Sequence, residues 1–568
     1  MTSRGLAGRL LEWKLIARAF AGRTGAPFRR FTRSVRTFVE PAADRLLIAP
    51  QDLRTADPTV ATDIYAGVFV FSGQIVECNG RSPFEHAPPS EDWARILHGF
   101  GWLRHLRAAD TATARSNARI LVDDWLRITD HPPIAWEPEV VARRTMAWLA
   151  QSPMILADAD QAFYHRFLAG LTRQFRRLRA HWGEEPPGLP RLKVAIAILA
   201  IAIAVEGFRR HIKSASRRLD EELERQILPD GGHIGRNPLT ILEVLIDLLP
   251  VRQALTARGI PVSQAMMGAI DRMMPMLRFF RHGDGAFALF NGASTTPTDL
   301  VATVLAYDDA QGRPHGNAPE SGYQRLEAEK TIVVMDCGAP PPPVLSRQAH
   351  AGTLAFELSS GTARFVVNCG APFRPARDWR RVARATAAHS TLVVDDHSSA
   401  TLRETGLLAD LIGPALIHGP SEVPVERMES DGVVTVTASH DGYATDYGLL
   451  HERRLSLSAD GGTLAGRDRV VPTAEGRGDA PYVVRFHLHP TVKVGHLGEH
   501  ALVLIGNAGQ GWEFHCDDAV PAVEDSVHLA DLHGVRRTAQ IVLTVDEDGP
   551  RELNWRFLRT ARSHAKGR

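Results

Sequence analysis

The 568-residue chain has only four cysteines, Cys78, Cys337, Cys369 and Cys516, and none belongs to a Cys-x-x-Cys pair. That excludes a disulfide scaffold and a cysteine-rich zinc module. Long apolar runs are missing too. The longest, residues 194–205, has twelve members, whereas crossing a bilayer takes about 20. It reads as a buried helix, and no transmembrane span is expected. Net charge is also absent, with 66 Lys and Arg against 65 Asp and Glu. A polyelectrolyte role is thereby excluded, and nucleic acid is not an expected partner. No uncharged stretch of signal-peptide length opens the chain, because Arg4, Arg9, Lys14 and Arg18 interrupt the leucines. The 44% hydrophobic and 23% charged fractions are those of a globular protein, not of a disordered or fibrous one.

The balanced total hides an asymmetry. Residues 1–36 carry nine Lys and Arg against the single Glu12. A basic amphipathic arm of this kind either lies on an anionic membrane face or stays solvated or docked on the body. Residues 65–90 look short and strand-like, a cap with a turn near Ser72-Gly73, so residues 1–90 are arm and cap. From 91 to 335 the apolar spacing is helical. Trp93, Ile96, Leu97, Phe100, Leu103 and Leu106 share one face, as do Phe163, Phe167, Leu168, Leu171, Phe175 and Leu178. Four prolines at 340–343 break the pattern. Short β-type runs follow (353–358, 364–367, 390–394, 433–438, 483–488), separated by Gly and Asp turns, which predicts an antiparallel sandwich over 344–560.

Chemistry concentrates in two places. Asp230-Gly231 opens a turn that leads through His233, Arg236 and Asn237 to Pro238 and a strong helix. A helix start favours anions, and an arginine adds a bidentate donor for a carboxylate. A plain capping loop is the competing reading. Asp284 sits in a second Gly-Asp-Gly turn. The β half is rich in histidine, with His350, His389, His440, His451, His487 and His489 at or in strands. Such residues are core members, metal ligands or proton shuttles.

His-Ala-Gly-Thr-Leu-Ala-Phe-Glu-Leu at 350–358, Phe-Val-Val-Asn-Cys-Gly at 365–370 and Ala-His-Ser-Thr-Leu-Val-Val-Asp at 388–395 resemble the β domain of the heparinase II/III-like family. His-Asp-Gly-Tyr at 440–443, His-Glu-Arg at 451–453 and Arg-Phe-His-Leu-His-Pro at 485–490 fit the same pattern. The resemblance implies an α+β multidomain fold, an N-terminal (α/α) toroid of helical hairpins followed by a C-terminal antiparallel β-sandwich. It implies a polysaccharide lyase that cuts a uronic-acid polymer by β-elimination in the cleft between the two. A base removes the C5 proton, the uronate carboxylate is neutralised, and an acid protonates the departing oxygen. Carried onto this chain, Arg236 or Asn237 neutralises the carboxylate, His350 and His233 are candidate catalytic groups, and Asp284, His440 and Tyr443 are candidate substrate contacts. A structural zinc site would fall on His350, His389 and Asn368. The partner implied is an acidic polysaccharide and the compartment the cell envelope or periplasm, with the cytoplasm as the alternative given the missing export signal.

The sequence departs from the family in three places. Gln348 stands where relatives often have another histidine, and Gly352 where they have an acid. Residues 239–245 lack the Tyr-His pair that many relatives carry, with Tyr307, Tyr323 and Tyr443 as possible substitutes. These departures support a second reading, a protein that binds an envelope glycan without cleaving it or hydrolyses it through Asp230 and Asp284.

Overall fold

The computed structural model describes residues 43–308, 312–373, 377–473 and 479–560, together with Ile16. The basic arm at 1–36, Ile16 apart, therefore lies outside the described residues. The cap is a hairpin, Val68–Phe71 paired antiparallel with Gln74–Glu77. Its turn residues Ser72 and Gly73 both have positive φ, as a two-residue hairpin turn of this twist requires.

The helical half is built from paired antiparallel helices. Pro138–Ile155 packs against Gln161–His181 and Leu189–Ala204, and Leu189–Ala204 packs in turn on Ile212–Gln226 and Pro238–Ala257. Leu189–Ala204, the apolar run of the sequence, is buried on every side from Val194 to Ala204, which is what an all-round hydrophobic helix requires. Starts are set by side-chain caps: Ser90 accepts from Trp93 N, Asp160 from Phe163 N and Asn237 from Leu239 N.

The β half is two stacked antiparallel sheets. One runs from Val425–Ser430 at its edge through Val433–His440, Leu449–Leu457 and Thr463–Pro472 to Glu552–Arg559 and beyond. The other centres on Tyr482–Leu488, Ala363–Val367, Phe356–Ser360 and Thr331–Asp336. Phe356, Phe486, Phe514, Trp555 and Phe557 fill the space between them.

The boundary lies earlier than the prolines. Tyr323–Ala328 and Thr331–Asp336 are neighbouring strands of the second sheet, and the prolines only link Thr331–Asp336 to Phe356–Ser360. Stiff polyproline is a connector, and here it connects strands of one sheet.

Polar struts cross from the toroid to the sandwich. Arg236, held at φ 61°, sends Nε to Ser321 O (2.8 Å), Nη1 to the carbonyls of Gly338 and Ala339 (3.1 and 3.0 Å), and Nη2 to Gly322 O (3.1 Å) and the Asp336 carboxylate. Its guanidinium lies over the Tyr323 ring. Asp230 accepts from Ser321 N and Oγ, and His282 Nε2 lies 3.1 Å from Glu357.

An arginine-lined cavity where toroid meets sandwich

One cavity of about 820 Å³ opens beside this seam, lined by Gly292 and Ser294 from the toroid and by Arg347, Gln348, His350, Asp378, Arg380, Arg381, Arg384 and Glu404 from the sandwich. Four arginines face two carboxylates, so the cavity is suited to an anion. Arg384 is its buried anchor. Nε donates to Ala349 O (2.9 Å) and Nη2 to Ser346 O (2.8 Å), while Nη1 has no partner among the described residues. Burial lowers its pKa to about 10, with the Glu404 carboxylate working in the opposite direction, so it remains charged at neutral pH. Arg380 and Arg381 are exposed and reach Asp92 at 3.5 Å and Glu404 at 4.0 Å, pairs that are weak in water.

His350 is the chemically distinctive wall residue. His389 Nδ1 lies 2.8 Å from Ala385 O, and a carbonyl can only accept, so His389 carries its proton there. Its Nε2 is then the acceptor facing His350 Nδ1, 3.1 Å away. His350 must donate from Nδ1, which leaves the Nε2 lone pair free on a ring that lines the cavity. Both rings are neutral at physiological pH. Burial, His389 and Arg384 hold His350 well below the usual imidazole range, and burial holds His389 at about 4. The backbone also fixes His350, whose N–H donates to Asn291 Oδ1 (3.3 Å).

Other predicted residues are near the cavity or away from it. Asn237 caps its helix through Oδ1 and turns Nδ2 to Gln348 Oε1 at 3.3 Å, one residue behind the wall. Arg236 does not serve as a carboxylate clamp, because all five of its N–H groups are spent on Ser321, Gly322, Asp336, Gly338 and Ala339. His233 is a buried brace, accepting from Gly235 N at Nδ1 and meeting Gln226 Oε1 at Nε2. Asp284 accepts from Ala286 N and pairs with Arg364, away from the cavity. Asp230 is likewise occupied by the seam, so the carboxylates named for a hydrolase are not in the cavity.

His440 and Tyr443 are interior residues of the sandwich and not substrate contacts. Tyr443 donates to Leu392 O (3.1 Å), and His440 Nε2 faces His451 Nδ1. His451, Arg453 and Trp555 all converge on the buried Asp468 carboxylate. Their strand ends point between the sheets, where a fully hydrogen-bonded network is the only stable way to keep such groups.

The implied zinc does not fit. Asn368 Oδ1 accepts from Ser390 N (2.9 Å) and its Nδ2 donates to Glu357, so the third ligand is taken, and an amide carries no charge to attract the ion. Among the described residues no group of three His, Cys, Asp or Glu is placed to hold a metal. The missing acid at 352 also has a steric reason. A Cβ on Gly352 would come within 2.7 Å of the His389 ring.

A family model described as heparinase II/III-like, C-terminal, matches residues 310–556. FtsZ-localized protein C of Caulobacter vibrioides (strain NA1000 / CB15N) is 34% identical over 514 residues, 89% of this chain and 88% of that protein. This chain belongs to the heparinase II/III-like family. A crystal structure of heparinase III superposes with a TM-score of 0.70 at 12% identity, covering 99% of this chain and 93% of that one. The heparan sulfate lyase HepC of Pedobacter heparinus gives 0.61 at 15% identity, covering 96% and 89%. Toroid plus sandwich is thus the family's scaffold, and the cavity of this member is defined by Arg347, Arg380, Arg381 and Arg384, none of which sequence reasoning singled out. The signal was present. Arg380 and Arg381 lie on the short helix Arg377–Ala383 and Arg384 follows directly after it, so three arginines fall within five residues.

Among the described residues no tyrosine lines the cavity. Tyr323 donates to Arg236 O (2.6 Å), and Tyr307 to Gln51 (3.3 Å). Nor is any described helix long and apolar enough to cross a membrane.

Proposed function

We propose that the cavity binds a uronate unit of an acidic polysaccharide and that His350 takes the C5 proton, opening a lyase-type β-elimination. The observation that carries this reading is the free His350 Nε2 lone pair beside an excess of arginine. Arg384 Nη1, with Arg347, meets the uronate carboxylate and draws charge out of the C5–H bond. The bound carboxylate also offsets Arg384 and so raises the proton affinity of His350, which is low while the cavity is empty. The C5–H bond then breaks toward Nε2, the C4–O bond breaks, a C4=C5 double bond forms, and the imidazolium returns its proton to the departing oxygen. An acidic polymer of this kind is an envelope component, which would place the protein there.

The test is a panel of uronate polymers followed by ultraviolet absorbance of the unsaturated product. Product from the wild type and none from His350→Ala, with binding retained in both, supports elimination. Binding without product in the wild type overturns it.

That second result would favour a glycan-binding role without cleavage. Two observations give that reading its weight: among the described residues no tyrosine lines the cavity, and a relative carries a name that places it with FtsZ. By analogy this chain would hold an envelope glycan where FtsZ is localized, with residues 1–36 contacting anionic lipid. Co-sedimentation of the intact chain with anionic vesicles tests the lipid contact, and failure to bind removes it.

A further inference from the structure

Residues 401–418 stand apart from both sandwich sheets. Thr401–Arg403 pairs only with Ala415–His418, and between them lies the short helix Leu407–Ile412. Gly406 (φ 90°, ψ 174°) and Gly413 (φ 84°, ψ 177°) bracket that helix, a backbone region open only to glycine. The excursion forms one wall of the cavity through Glu404, Thr405 and Pro414. Its rear touches a cavity arginine, since a Cβ on Gly413 would lie 2.5 Å from Arg347 Nε. Leu416 ties it to the sandwich, its N–H donating to Ser346 Oγ (2.9 Å) and its O lying 3.4 Å from the same hydroxyl.

Leu402 and Leu416 pack on Ala349, Ala351 and Ala400, but the other face of the excursion belongs to neither domain core. Leu408, Ala415 and Ile417, with Ile412, form a cluster of their own, and among the described residues Ile16 packs against them from elsewhere in the chain.

We infer that the apolar face of this excursion is the docking site of the N-terminal segment, seated through Ile16, and that the docked segment holds the excursion as a lid against the arginine cavity. A small cluster isolated from the main cores gains most of its order from any added apolar contact. Ile16 supplies that contact, and the glycines at 406 and 413 let the helix between them swing when it is withdrawn. The effect on ligand access rests on the anion-binding reading of the cavity, but the docking itself does not.

The experiment uses the full chain, Ile16→Glu and the conservative Ile16→Leu. Amide hydrogen exchange is followed across 401–418, and an oligoglucuronate probe is followed by stopped-flow binding. Ile16→Glu is expected to speed exchange at 401–418 about tenfold, in keeping with loss of one half-buried aliphatic side chain, and to leave the sandwich strands unchanged. Ile16→Leu should restore protection. Probe association and dissociation should both quicken in Ile16→Glu. Equal exchange at 401–418 in all three chains overturns the docking. Faster exchange with unaltered probe kinetics overturns the lid. A probe that binds none of the chains counts against the proposed function, and the exchange result still decides the docking.

Discussion

Arg236 and Arg384 are both buried guanidiniums, and what separates them is how many N–H groups each has left. Arg236 spends all five within the protein, across the seam between toroid and sandwich. Replacing it with alanine leaves the Asp336 carboxylate buried and unpaired, and loss of one partner of a buried pair costs about 3–5 kcal/mol. We expect Arg236→Ala to lose that much in urea unfolding, with ligand affinity per folded molecule unchanged. Arg384 keeps Nη1 free at the cavity. Arg384→Gln should weaken oligouronate binding about tenfold to a hundredfold, the value of a hydrogen bond to a charged group, and flatten its salt dependence, as titration calorimetry would read. In the sequence the polar-loop context makes Arg236 look functional, and Arg384 is marked only by its closeness to Arg380 and Arg381. The identity of His350 was legible from the strand motif. Its role was not, because the free Nε2 depends on Ala385 O orienting His389, a partner 39 residues away in sequence.

Loops and helices were easier to read than their duties. The Asp230-Gly231 and Gly283-Asp284 turns are where the spacing put them, but they serve the seam. A Cβ on Gly283 would come within 1.8 Å of Gly361 O, a backbone atom with little room to retreat. Gly283→Ala should therefore destabilise by on the order of 1–3 kcal/mol, seen as a lower thermal midpoint with the cavity's probe affinity intact. The helices of the toroid were visible because each buries one stripe, and Leu189–Ala204 because it buries all sides. The strands at 323–336 fall in the helical half of the sequence reading because the prolines after them look like a boundary. Proline reports local stiffness, and it says nothing about which sheet the chain returns to.

At the scale of the whole molecule, buried neutral histidines link stability to pH. Burial lowers His98 and His487 to about 3 and His131, His233, His389 and His528 to about 4. The unfolded chain, with imidazoles near 6.5, binds more protons than the folded one below that pH. Stability is therefore full above about 6.5 and lost as pH falls toward 4, each fully linked group contributing about 1.4 kcal/mol per pH unit. Urea midpoints should be level between pH 7 and 8 and fall steeply below 6. The order of toroid and sandwich was legible in the sequence, whereas the cavity between them was not, since its walls come from segments as far apart as Gly292 and Pro414. The central claim is that this cavity lets His350 remove the proton beside a uronate carboxylate. Proton exchange at C5 of an oligouronate in deuterated water, followed by NMR, tests it most directly. Deuterium should enter C5, or its loss accompany cleavage, with the wild type and not with His350→Ala. Retention of the C5 proton in an intact, bound oligosaccharide with the wild type would contradict it.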